Sequence, residues 1–71
     1  MSLKFPSIEI PEDLLWALDF NQQANSIFSK LPYLHRLEYV AWIESARKPE
    51  TRARRVEKAI MSIMRAEQPQ A

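Results

Sequence analysis

Leu31 to Arg55 reads LPYLHRLEYVAWIESARKPETRARR, which places an aromatic-rich helical stretch, a proline stop and a dense basic cluster in succession. A residue that precedes proline is steered out of the α region, and proline itself suits the first turn of a helix, where its missing N–H costs nothing. Leu31-Pro32 and Lys48-Pro49 therefore each end one helix and begin another. The spacing predicts one helix from about Pro32 to Arg47 and a longer one from about Pro49 to Glu67.

Upstream of this stretch, Ala24, Ile27, Phe28 and Leu31 repeat at intervals of three, four and seven, as an amphipathic helix requires. The periodicity slips around Asn21, which separates that helix from an earlier one. The first helix is opened by Pro11 and carries Glu12 and Asp13 where acids favour the positive end of the helix dipole. Leu14, Leu15 and Leu18 form its expected inward stripe. Before Pro11, Ile8 and Ile10 alternate with Ser7 and Glu9, so residues 1–10 read as an extended arm lying against the helices. Residues 68–71 read as a flexible tail. The expected fold is thus all-α, a small bundle of about four helices over residues 11–67, with short connections that favour antiparallel neighbours.

The chain has 71 residues, no cysteine, no glycine and a net charge of +1. At that size a single small core must hold the fold without disulfides. Phosphate-cradling loops, dinucleotide fingerprints and nucleophile elbows need glycine where backbone approaches a ligand or takes positive φ, so those chemistries are not expected. One histidine among scattered carboxylates is a poor supply of metal ligands. No run approaches the roughly 20 apolar residues of a membrane span, and the N-terminus lacks the apolar stretch of a signal peptide. A cytoplasmic, non-catalytic protein without a cofactor is the expectation.

Projection at helical steps assigns faces. In the last helix Ala53, Val56, Ala59, Ile60, Ile63 and Met64 share the apolar side, while Arg54, Lys58 and Arg65 share the solvated one. Arg52 falls at the edge of the apolar stripe and needs a partner. In the preceding helix Leu34, His35, Tyr39, Trp42, Ile43 and Ala46 fall together with Glu38 among them, and Arg36, Glu44 and Arg47 surround Val40 on the other side. Tyr39 and Trp42 are therefore expected to point inward toward Val56 and Ile60. Glu38 is expected to pair with Arg52 or Arg55, with stacking on Trp42 as the alternative for Arg52.

Leu31-Pro32, His35-Arg36, Glu38-Tyr39, Trp42-Ile43, Ala46, and Pro49-Glu50-Thr51-Arg52 followed by Arg54-Arg55 together resemble the YdeI/OmpD-associated, or bacteriocin-protection, family. Pro11-Glu12-Asp13-Leu14 and Ala17-Leu18 look like the start of the same domain, so the likeness covers about residues 10 to 65. The chain departs from relatives at Leu34, where a small or hydroxyl residue is common, and at Arg47, where lysine is. The resemblance implies a helical domain, which relatives often join to a small β-barrel, and it carries over no catalytic residue.

Two groups of side chains are candidate sites. His35, Tyr39 and Trp42 lie on one stripe and suit a small pocket, although core placement with polar tips toward water is the favoured reading. The span Arg47 to Lys58 holds six of the ten lysines and arginines, against Glu50 and Glu57. Arg52, Arg54 and Arg55, the members of this cluster nearest the helix start with Lys58 further along, sit where the helix dipole disfavours cations, so these three call for compensation. The structural form of it is an ion pair of Glu50 with Arg54, with Arg52 or Arg55 meeting an acid or ring across the interface. The functional form is an anionic ligand at the helix start. The expected partner is another protein. Nucleic acid or a phosphate ligand on the basic cluster is the alternative, and a homodimer remains open.

Overall fold

The computed structural model describes residues 9–66, apart from the side chain of Ala66. Within them lie four helices: α1 (Glu12–Phe20), α2 (Gln22–Lys30), α3 (Tyr33–Glu44) and α4 (Pro49–Ala66), and no strand. Most of the arm, residues 1–8, and the tail at 68–71 lie outside the described residues. Ile10, at the arm's end, has no regular structure and packs partly buried against the core.

Each break has a local cause. Pro11 and Pro32 take φ near −58° and −57° with extended ψ and stand just outside α1 and α3, one position earlier than the sequence suggests. Leu31, before Pro32, is extended at φ −67° and ψ 150°, as its following proline demands. A single residue, Asn21, separates α1 from α2. Its side chain accepts a hydrogen bond from the Ala24 N–H at 3.1 Å, which satisfies one of the unpaired donors at the start of α2. At the other end, α3 stops at Glu44 rather than Arg47. The Ser45 hydroxyl donates to the Trp42 carbonyl at 2.9 Å there, and the chain must leave the helix before Pro49.

The longest helix, α4, is the hub, packed against α1, α2 and α3. Pairing Tyr39 with Ser62 and Trp42 with Arg55 makes α3 and α4 antiparallel. Asp13 meets Arg52, and Ala17 and Phe20 share a cleft with Val56, Ile60 and Met61, so α1 and α4 run in the same sense. The core comprises Leu14 and Leu18 of α1, Ala24, Ile27 and Phe28 of α2, Val40 and Ile43 of α3, and Val56, Ala59 and Ile63 of α4. Ala46 is buried beside them.

Three expectations about faces are corrected. Leu15 is exposed, because Leu14 and Leu18 already fill the narrow inward stripe of α1. Ala53 is exposed on α4. On α3 Ile43 is buried as expected, but Val40, expected on the outer side, is buried with it, whereas Leu34, His35, Glu38 and Trp42 face water, so the helix is rotated relative to the expected stripe. Trp42 keeps 40% of its surface exposed, and Tyr39 is only partly buried. Arg36 swings toward the interior instead, with its Nε shielded from water and without a hydrogen-bond partner among the described residues.

Candidate functional site

The rotation of α3 turns positions 35, 38 and 42 outward and leaves Tyr39 at the edge of the core. His35, Glu38, Tyr39 and Trp42 line an open hollow of about 440 Å³. The sequence-predicted pocket residues are thus brought together, with Glu38 added, but on the surface rather than in the core. Tyr39 forms the inner wall: its ring lies 6.3 Å from that of Phe28 at 56°, and its hydroxyl donates to Ser62 Oγ at 2.8 Å. A second hollow, lined by Pro32, Tyr33, Leu34, His35 and Glu38, shares two residues with the first.

The basic cluster divides into inward and outward members. Arg52 binds Asp13 in a two-point contact, Nε donating to Oδ2 at 2.9 Å and Nη2 to Oδ1 at 3.3 Å. The expected partners Glu38 and Trp42 do not meet it. The shared direction of α1 and α4 brings the first turn of α1, and hence Asp13, beside the start of α4, 39 residues away in sequence. Arg55, not Arg52, stacks on Trp42, with its guanidinium carbon 5.2 Å from the ring centre. Its Nη1 also donates to the Trp42 carbonyl at 2.6 Å and to Ser45 Oγ at 2.7 Å. That carbonyl belongs to the last turn of α3, where unpaired C=O groups and the negative end of the dipole favour a cation. Two arginines at the unfavourable end of α4 are therefore compensated by an acid at the start of α1 and by the end of α3. Glu50 forms no ion pair with Arg54 among the described residues, and Arg54, Lys58 and Arg65 are exposed as expected.

The Arg52 hydrogen bond holds the Asp13 carboxyl below its ordinary value of 3.8, against the opposing effect of burial, with help from the Leu14 N–H and from the charge of Arg52. The same bond raises Arg52 above its ordinary value, again opposed by burial, and the charges of Asp13 and Glu44 add to it. A carboxyl that releases its proton more readily in the folded state adds stability that is present above its unfolded value and is lost as pH falls through its folded value. The melting-temperature gap between wild type and Asp13→Asn should therefore hold at neutral pH, narrow as pH falls below 3.8, and close in stronger acid. The gap should be modest, since the two side chains remain 30% and 38% exposed and water screens the pair. Arg52→Gln should reproduce the neutral-pH loss and Arg54→Gln should not. Equal losses for the two arginine variants would mean that the Asp13 contact contributes nothing.

A cleft of about 650 Å³ between α1 and α4 was not foreseen from the sequence; it is lined by Ala17, Phe20, Asn21, Val56, Glu57, Ile60 and Met61. Phe20 on its rim is 92% exposed, with Met61 opposite at 58% and Trp16, one turn earlier on α1, at 61%. Phe20 falls outside the stripe of Leu14 and Leu18, and that mismatch was the signal available in the sequence. Among the described residues no group of three or more His, Cys, Asp or Glu side chains is placed to hold a metal ion. No helix among them is long and apolar enough to cross a membrane.

The family model described as bacteriocin-protection, YdeI or OmpD-associated matches residues 7–66. No curated protein and no solved structure matches the chain. The match takes in all four helices, the Asp13–Arg52 contact and the Arg55–Trp42 stack, and the chain belongs to the bacteriocin-protection, YdeI or OmpD-associated family.

Proposed function

We propose that this domain is a non-catalytic binding module that engages another protein through the apolar surface left uncovered by α1 and the middle of α4. The observation that carries the reading is Phe20, 92% exposed beside a cleft whose walls include Val56 and Ile60. A ring held almost wholly in water contributes nothing to the fold, and an apolar rim around a cleft is the usual mark of an interaction surface. Aromatic side chains of this kind supply a large share of binding energy when a partner covers them. Following the family's description, the proposal links this binding to bacteriocin protection, with envelope stress as the alternative; the cytoplasm as its setting is proposed from the sequence alone.

A nucleic-acid reading requires the basic cluster to be free. Arg52 and Arg55 are committed to Asp13 and to the Trp42–Ser45 turn, and the cations left outward are interspersed with Glu50 and Glu57. That pattern makes a weak, broken field for a phosphate backbone.

The test is affinity capture from a bacterial lysate by wild-type and Phe20→Glu baits, each with and without nuclease. Protein partners should persist after nuclease and fall by about tenfold or more with Phe20→Glu, the loss expected for a buried aromatic anchor. Capture that disappears with nuclease, or that is the same for both baits, would overturn the reading.

A further inference from the structure

We infer that the hollow on the outer side of α3 receives an arginine side chain from a partner protein. His35, Glu38, Tyr39 and Trp42 recur at intervals of three and four, so one helical stripe presents two aromatic rings, an imidazole and a carboxylate to the same space. Glu38 is exposed and has no ion pair or hydrogen bond to its carboxylate among the described residues. It is the one acid lining the hollow among those residues, and no lysine or arginine lines it with them. The charge on offer is therefore negative and flanked by aromatic faces. A planar cation answers both features, because a guanidinium stacks on rings while its N–H fork meets a carboxylate at two points.

The molecule already displays half of this chemistry in cis. Arg55 lies over the Trp42 ring at 5.2 Å, and the Trp42 carbonyl and Ser45 hold it there, so that it does not itself line the hollow. An arriving arginine would use the remaining ring surface together with Tyr39 and Glu38. The adjoining hollow extends the surface along α3 past Leu34, which is 66% exposed, so an apolar neighbour of the arginine has a place to rest. The inference draws on the protein-partner reading only for the source of the side chain, and the Phe20 cleft plays no part in it.

The full chain labelled with ¹⁵N is titrated with three capped peptides, acetyl-Leu-Arg-Leu-amide and its lysine and glutamate counterparts. The two tryptophans, Trp16 and Trp42, each carry one indole N–H that reports on its own surroundings. With the arginine peptide the Trp42 indole and the amides of His35 and Glu38 should shift in a saturable way, while the Trp16 indole stays in place. The lysine peptide should bind more weakly, and the glutamate peptide should leave Trp42 unmoved. Glu38→Gln should weaken the arginine peptide by about tenfold, the loss expected when one charge-assisted contact is removed. Its own spectrum should remain native, since Glu38 holds nothing in the fold. No shift of Trp42 at millimolar arginine peptide, an equal response to the glutamate peptide, or full affinity in Glu38→Gln would each overturn the inference. Lysate capture that depends on Phe20 would be untouched by any of these results, and the reverse also holds.

Discussion

Ile43→Ala is expected to destabilise the domain by about 2 to 5 kcal/mol, whereas Trp42→Ala, one residue away and a far larger truncation, should cost only about 1 to 2 kcal/mol. Ile43 is fully buried against the core and its neighbour is 40% exposed. Deleting the buried side chain removes its transfer energy and leaves a cavity that helices anchored on α4 cannot easily close. Deleting the indole removes a partly wet ring and its contact with Arg55, and opens no enclosed void. A domain of this size has a total stability of roughly 3 to 5 kcal/mol to spend, so Ile43→Ala should leave much of the chain unfolded at ambient temperature. Trp42→Ala should still melt cooperatively, within roughly 15 °C of wild type. Circular dichroism melts of the two variants decide the matter. The reverse order of stabilities would restore the inward placement of Trp42 and remove the surface hollow on α3.

That pair of residues also marks the limit of what the sequence discloses. The helix count and the breaks were legible because each break has a local chemical cause: proline at 11, 32 and 49, and the capping side chain of Asn21. The buried faces of α2 and α4 were legible because most of their apolar residues keep to one side, Ala53 and Met61 of α4 excepted. α3 is different, with Tyr33, Leu34, Leu37, Tyr39, Val40, Trp42 and Ile43 spread around its circumference. Its periodicity does not choose a face, and the bulk of the rings pulled the expectation toward them. Packing kept Ile43 and added the slimmer Val40, which let α3 approach α4, where Ala59 and Ile63 are fully buried, and left Tyr39 and Trp42 at the edge, the Tyr39 hydroxyl bonded to Ser62. The partner of Arg52 was hidden for another reason. Its need for an acid follows from its position on α4, but short connections suggest contacts between chain neighbours. The acid stands on α1, reached only because α1 and α4 run side by side in the same direction. The compensation expected for the basic cluster was thus right in kind and wrong in partner.

Phe28→Ala and Phe20→Ala should separate stability from binding. Phe28 is 3% exposed, lies in the core with Leu14, Ile43 and Ile63, and packs its ring against Tyr39. Its truncation should cost about 3 to 5 kcal/mol and abolish a cooperative transition in so small a domain. The effect should extend beyond α2, since losing the Phe28 ring frees the Tyr39 ring and with it the hydroxyl contact to Ser62 that ties α3 to α4. Phe20 touches so little that Phe20→Ala should change stability by no more than about 0.5 kcal/mol, the range for surface positions. It should nevertheless lose most protein capture. Denaturant titrations and lysate capture on the same two variants give a crossed result: Phe28→Ala unfolds, and Phe20→Ala folds but does not bind. A Phe20→Ala variant that loses stability would show the ring to be covered in solution, for instance by a second copy of the chain, and sedimentation of the wild type would then reveal a dimer that the variant lacks.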